Sequence, residues 1–107
     1  MEKTFVYNGN KYTLTYTLDI IRGMEASGFS LEELDTKRAT NIPILFAGAL
    51  MAKHKNLKEK EIETMYKAMP KKRELISMLR DMYVTTIKQL IEEPEETEKN
   101  SVEEICW

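Results

Sequence analysis

Residues 42–52 read IPILFAGALMA, which is the longest apolar stretch of the chain. Only Pro43 and Gly48 interrupt it, and the segment from Ile44 to His54 has the pattern of a helix that is apolar on nearly every side. Such a helix is stable in water only when other elements surround it, so we expect it at the centre of the fold. Its small residues, which let neighbouring backbones approach closely, are Ala47, Gly48, Ala49 and Ala52.

Start and stop signals divide the segment before this helix. Thr40–Pro43 predicts the beginning of the central helix, because proline is tolerated in a first helical turn. Further upstream, Thr17 is a suitable N-cap for a helix that Gly28 would end. Between these helices, Ser30–Glu33 matches a capping box, which predicts a short turn of helix through Lys37.

Two more helices are predicted after the central one. The first runs over Lys58–Met69 and the second over Lys71–Ile91, after Pro70. The buried stripe of the first is predicted to be Ile62, Met65, Tyr66 and Met69. The apolar residues of the second recur with the helical period of 3.6, and they are Leu75, Ile76, Leu79, Met82, Tyr83, Ile87, Leu90 and Ile91.

The chain opens with the pattern of a β-hairpin. Phe5–Tyr7 and Lys11–Tyr16 alternate apolar and polar residues, and Asn8-Gly9 between them suits a tight turn that needs positive φ at both central residues. An isolated hairpin is marginal in water, so this one should pack on the helices. The predicted fold class is therefore α+β, mostly α, with an N-terminal β-hairpin packed on a bundle of about four helices and an acidic C-terminal tail.

Composition and charge limit the class of protein. Within the 107 residues, 1–91 hold fifteen basic and eleven acidic residues and are predicted to form a single globular domain, while 92–107 form an acidic tail of net charge −6. The longest apolar stretch is well short of the ~20 residues that cross a bilayer. A lone Cys106 cannot form an internal disulfide and favours a reducing compartment. We expect neither a membrane protein nor a secreted disulfide scaffold.

No group of residues predicts catalysis. His54 and Cys106 are the only histidine and the only cysteine, and the cysteine lies in acidic surroundings that raise a thiol pKa. Zinc sites need several such ligands at close spacing. The four glycines never form a phosphate-binding loop. The sequence therefore predicts a protein without enzymatic activity, metal or cofactor.

Methionine is the most suggestive feature of the composition. Six methionines besides Met1 fall on predicted helices, and their flexible side chains suit surfaces that bind a partner adaptably. Core packing is the alternative, and it is favoured for Met65 and Met82. Met78 lies toward one edge of its stripe, where an exposed apolar patch with Met69 and Met51 is the competing interpretation. The candidate partner-binding residues are Met51, Met69, Met78 and Met82.

Four segments of hydrophobic and small residues follow one another along residues 1–91. They are Ile21–Phe29, Pro43–Leu50, Ala52–Lys55 and Leu79–Tyr83. With the opening hairpin and the acidic end, this order resembles the small tail assembly chaperones of long-tailed, siphovirus-type bacteriophages that infect Gram-positive hosts. The resemblance implies a protein of the host cell cytoplasm that is not part of the mature virion. It would bind the helical tape measure protein, keep it soluble, help recruit tail tube protein, and self-associate along its client.

A small nucleic-acid-binding regulator is the alternative function. Its basic helical surface would consist of Lys53, Lys55, Lys58, Lys60, Lys71, Lys72 and Arg73. However, glutamates at positions 59, 61 and 63 alternate with these lysines and would face the phosphates, so a solvated face is favoured. The two functions differ in salt dependence, because phosphate contacts weaken steeply with salt and apolar contacts do not.

Overall fold

The computed structural model describes residues 2–92, in which a two-stranded hairpin is followed by four helices. The elements are β1 (Lys3–Tyr7), β2 (Asn10–Leu14), α1 (Leu18–Ala26), α2 (Arg38–Met51), α3 (Glu59–Ala68) and α4 (Lys72–Lys88). The predicted fold class, a mostly helical α+β protein that begins with a hairpin, is confirmed. The predicted acidic tail over 92–107 lies, from residue 93 onward, outside the described residues.

The hairpin forms where the sequence predicts it. Asn8 and Gly9 have φ angles of 49° and 80°, the positive pair that the tight turn requires. Beyond β2 the chain turns onto α2, where the Tyr16 hydroxyl donates a hydrogen bond to the Leu45 carbonyl at 2.6 Å. The backbone N–H of the residue before it donates to the Ala49 carbonyl at 3.0 Å. These bonds hold the hairpin against the central helix.

Helix α1 confirms both of its predicted ends. The Thr17 hydroxyl oxygen accepts a hydrogen bond from the Ile20 backbone N–H at 3.2 Å, and Gly28 has a φ of 100° just after the helix. The predicted helical turn over Ser30–Lys37 is wrong, because this segment forms a series of turns and no helix. Its shape follows from packing, since Leu34 is 1% exposed and anchors the turns in the core.

The predicted start of the central helix is also wrong. Helix α2 begins at Arg38, so Pro43 lies inside it. The carbonyl that would have paired with the missing Pro43 N–H belongs to Ala39, an exposed residue that water can reach. The buried side-chain amide of Asn41 donates to the Glu33 carbonyl at 3.3 Å. This contact fixes the early first turn to the preceding segment.

Helix α2 lies at the centre of the fold, as its composition predicts. It packs against β2, α1, α3 and α4. Four of its residues, Leu45, Phe46, Ala49 and Leu50, are 0% exposed. Gly48 contacts α1 so closely that a Cβ atom at this position would lie 2.5 Å from the Met24 sulfur. The small residue therefore sets the distance between the two helices.

Helices α3 and α4 form where the sequence predicts them, but each is shorter at both ends than its predicted segment. In α3, Ile62 and Met65 are buried. Helix α4 ends at Lys88, so the predicted end at Ile91 is wrong; Leu90 and Ile91 lie beyond the helix and are 61% and 81% exposed. Ile87 is half-buried, so the packed part of α4 ends there.

Candidate functional site

An open, mainly apolar groove of about 680 Å³ lies between α2 and α3. We call it the α2–α3 groove. Its lining residues are Pro43, Ile44, Phe46, Ala47, Met51, Leu57, Glu59, Ile62, Glu63, Tyr66 and Lys67. Clefts of this kind, with apolar walls and a few charged groups at the edge, are typical binding sites for partner helices or small molecules.

One wall of the groove is the outward side of α2. Ile44, Ala47 and Met51 recur at intervals of three and four residues and are each half-buried. The opposite side of α2 is fully buried against α1 and α4. The sequence predicts burial on every side of this helix, but its groove side is open. Helix α2 therefore keeps one partly open apolar side, and an apolar surface of this kind is a candidate interaction site.

Aromatic rings form the floor of the groove. The Phe46 and Tyr66 rings meet edge to face, with centroids 5.3 Å apart, and Phe5 of β1 lies 6.4 Å from Phe46 on the other side. Burial raises the pKa of Tyr66 above its ordinary value. The Lys72 ammonium lies 5.6 Å from the Tyr66 ring centroid and donates to the Met69 carbonyl at 2.8 Å. One end of the floor is thereby fixed to the start of α4.

The second wall carries charge along its edge. Glu59, Glu63 and Lys67 follow one another at four-residue intervals on α3, so they lie in a row on one face of the helix. All three are exposed. None of them takes part in an ion pair within residues 2–92. We call this row the α3 rim.

The four candidate methionines do not form one patch. Met51 lies in the α2–α3 groove, whereas Met69 and Met78 line a separate cleft of about 380 Å³ beside β1. Met82 is 1% exposed, so its inclusion among the partner-binding residues is wrong and the core interpretation holds. The helical period places Met82 on the side of α4 that faces the core. It does not predict which neighbouring elements contact Met51, Met69 and Met78.

His54 has a structural contact. Its Nε2 atom accepts a hydrogen bond from the Thr13 backbone N–H at 2.9 Å, and its ring meets Tyr12 edge to face at 5.2 Å. An imidazole nitrogen that accepts a bond carries no proton, so the bond requires the neutral ring with its proton on Nδ1. Cys106, the only cysteine of the sequence, lies outside the described residues.

The basic residues are partly engaged in other contacts. Lys53 pairs with Glu2 at 3.7 Å, and Lys72 caps the end of α3 through two carbonyls. Within residues 2–92 no cluster of three acidic, histidine or cysteine side chains is placed to hold a metal ion. Among the helices of that same range, none has the length and apolar character needed to cross a membrane.

Two tyrosines with shifted pKa values lie in the core, away from the groove. Burial raises the pKa of Tyr16 well above the ordinary range, and the nearby Tyr83 adds to the shift. For Tyr83, burial is again the main cause of a raised pKa, followed by the charge of Glu25. Their rings meet edge to face at 5.5 Å. Neither tyrosine lines the groove, and the Tyr16 hydroxyl donates its hydrogen bond to the Leu45 carbonyl.

Comparison with known proteins gives a family. Residues 1–106 match the model of a domain of unknown function, DUF5055, and the chain belongs to that family. No curated protein and no solved structure matches it. Arguments about function therefore depend on the residues and on the geometry of the groove.

Proposed function

We propose that this protein is a tail assembly chaperone of a long-tailed bacteriophage, a non-enzymatic protein that binds the tape measure protein, keeps it soluble and helps recruit tail tube subunits. The observation that carries the proposal is the α2–α3 groove, an open apolar surface on the central helix. The sequence resemblance supports it, since one of the four segments, Pro43–Leu50, forms most of the α2 wall.

The size of the groove suits one amphipathic helix. Its α2 wall extends over the nine residues from Pro43 to Met51, whose Cα atoms span about 12 Å along the helix axis, or just over two turns. An amphipathic helix of similar length presents three or four apolar side chains on one face. Binding of such a face in a helical groove is a common mode of peptide recognition. A long helical client offers many such faces in succession.

A chaperone of this kind must also be released when tube subunits replace it. The groove meets that need because its wall residues are already half-buried in the free protein, so a client covers only a limited additional apolar area. Met51 can adjust to different client side chains. We therefore expect binding of moderate affinity that tolerates variation in the client sequence.

Co-expression with the tape measure protein encoded in the same genome tests the proposal. We expect the chaperone to raise the soluble fraction of the client and to co-elute with it. Ala47→Glu places a charge at the middle of the α2 wall and should abolish both effects. Ala39→Glu is the matched control, because it makes the same change at an exposed position of α2 outside the groove, and it should capture the client normally.

The same experiment has two outcomes that would reject the proposal. One is a client that stays insoluble with the wild-type chaperone, and the other is undiminished capture by a folded Ala47→Glu variant. Circular dichroism and thermal melting of both variants establish whether they are folded. Raising the salt concentration separates the nucleic-acid alternative, since a complex built on phosphate contacts would dissociate and an apolar one would persist.

Self-association is proposed to use the outer edge of β1. On the other edge, the N–H of Thr13 is already bonded to His54. Within residues 2–92, the backbone of β1 pairs with β2 alone, and Val6, the fourth of its five residues, is 72% exposed. Open strand edges of this kind pair with other strands.

A substitution in β1 tests this use of the edge. Val6 is opposite Lys11 at a position where an antiparallel ladder directs backbone groups outward. Val6→Pro removes the outward N–H and should convert associated protein to monomer in sedimentation experiments. Val6→Thr keeps that N–H and should associate like the wild type. If the Val6→Pro protein still associates, the self-association contact is not at the edge of β1.

A further inference from the structure

The charges of the α3 rim define the kind of helix that fits the groove. From its first residue to its last, the rim reads negative, negative, positive, through Glu59, Glu63 and Lys67. Neighbouring members are four residues apart, which is about 6 Å along the helix axis. The rim charges have no ion-pair partners within residues 2–92 and are exposed, so they are available to a bound helix.

The α2 wall has no charge of its own. Every residue that α2 contributes to the groove is apolar. Charge recognition therefore comes from one side, and a bound helix must present its own charges on the flank that faces α3. Turning the helix end to end brings its other flank to α3, so the rim distinguishes the two directions of binding.

Each direction requires a different order of charges in the client. A helix parallel to α3 would need two basic residues followed by an acidic one, and an antiparallel helix would need an acidic residue followed by two basic ones. The acid-first order also gives the more stable helix. An acidic residue four positions before a basic one stabilises a helix, and both charges then interact favourably with the macrodipole. In the base-first order the side-chain pair stabilises the helix less, and the interaction with the macrodipole becomes unfavourable.

We propose that the α2–α3 groove recognises amphipathic helices whose flank carries one acidic and then two basic residues at one-turn intervals, bound antiparallel to α3. The acidic residue lies beside Lys67, and the basic residues lie beside Glu63 and Glu59. This inference rests on the proposed function in that the occupant is a client helix. It adds a rule by which the chaperone selects sites and sets their direction.

Three synthetic peptides of about 18 residues, long enough to populate a helix, test the rule against the full chain by fluorescence anisotropy. All share one composition and one Leu-rich apolar stripe. The first carries Glu, Lys, Lys on the flank that faces α3 in the antiparallel direction, and the second carries Lys, Lys, Glu on that same flank. The third carries Lys, Lys, Glu on the opposite flank, as the parallel direction requires.

The first peptide should bind most tightly. The first peptide has three matched pairs, whereas the second keeps only the pair beside Glu63 and places like charges beside Lys67 and Glu59. Exposed ion pairs contribute a few-fold each, so these two changed positions should give a preference of about ten-fold over the second peptide at low salt. The preference should fall to about two-fold or less near 0.5 M salt, where such charges are screened. Tightest binding by the third peptide would overturn the proposed direction.

Variants of the α3 rim separate charge recognition from non-specific apolar binding. Exchanging the signs by Glu59→Lys, Glu63→Lys and Lys67→Glu together should make the second peptide bind more tightly than the first. Glu61→Lys is the matched control on the same helix, because Glu61 is exposed but does not line the groove, and it should leave the preference unchanged.

The outcomes distinguish this rule from the proposed function. Equal affinity for all three peptides, or binding of none, overturns the rule, whatever the co-expression experiment shows. A ten-fold preference that reverses in the rim variant supports the rule even if the tape measure protein stays insoluble in the presence of the chaperone. In that last case the proposed client is wrong and the groove serves another helical partner.

Discussion

The buried hydroxyl of Tyr16 predicts a stability difference that changes sign with pH. Tyr16 is 6% exposed and donates to the Leu45 carbonyl at 2.6 Å. Tyr16→Phe removes this hydrogen bond and little else, because the ring keeps its contacts. A buried neutral hydrogen bond contributes about 1 kcal/mol, so the free energy of unfolding should fall by about that amount at pH 7.

Alkaline pH should reverse the order of the two proteins. Since burial raises the pKa of Tyr16 in the folded state, its contribution is fully present below the ordinary tyrosine pKa of about 10 and is lost as the pH rises above it. In that range the unfolded chain releases the proton and the folded chain keeps it. The loss approaches about 1.4 kcal/mol per pH unit, so the wild-type advantage should vanish between about pH 10.5 and 11.

Urea denaturation followed by circular dichroism, at pH 7, 9 and then in half-unit steps to 11, measures the difference directly. Other tyrosines and lysines titrate in both proteins and largely cancel in the comparison. A gap that stays constant through pH 11 would refute the reasoning, because it would mean that the Tyr16 hydroxyl ionises as easily in the folded state as in the unfolded chain. A gap that widens with pH would refute it as well.

Three further substitutions test the packing around α2. Gly48→Ala gains about 1 kcal/mol of helix propensity, but its new Cβ atom would lie 2.5 Å from the Met24 sulfur and must push that side chain away. We therefore expect the free energy of unfolding, measured in urea, to fall by up to about 2 kcal/mol. A variant as stable as wild type would mean that Met24 moves freely. Met82→Ala should lower the free energy of unfolding by about 2–5 kcal/mol, because this side chain lies in the core. A loss below about 1 kcal/mol would contradict its burial. His54→Ala should destabilise by about 1–3 kcal/mol and speed hydrogen exchange at the Thr13 amide, and unchanged exchange would contradict that bond.

Local features of the fold could be predicted because their causes are local. Asn8-Gly9 defines a turn through its own φ preferences, and Thr17 and Gly28 define the ends of α1 through contacts within four residues. The start of α2 could not, because Asn41 is held by a carbonyl eight positions upstream, and neighbouring residues favour a start at the proline instead.

The candidate site was predicted only in part. An apolar stretch around Ala47 indicates a central helix, yet it does not tell which side of that helix its neighbours leave open. Met51 was found as a candidate because its side chain suits an interface, while Glu59 and Glu63 were assigned to a solvated face. The missing information is the packing of α3 against α2, which depends on the whole fold.

Two hydrogen bonds that join residues 13–16 to α2 and to His54 just after it bear on folding during synthesis. Tyr16 and Leu45 are 29 positions apart, and Thr13 and His54 are 41 apart. Chains are made from the N-terminus, and a two-stranded hairpin alone is marginally stable. The hairpin is therefore made before His54 and cannot complete its contacts until His54 has emerged. Contacts of this sequence separation should limit the folding rate.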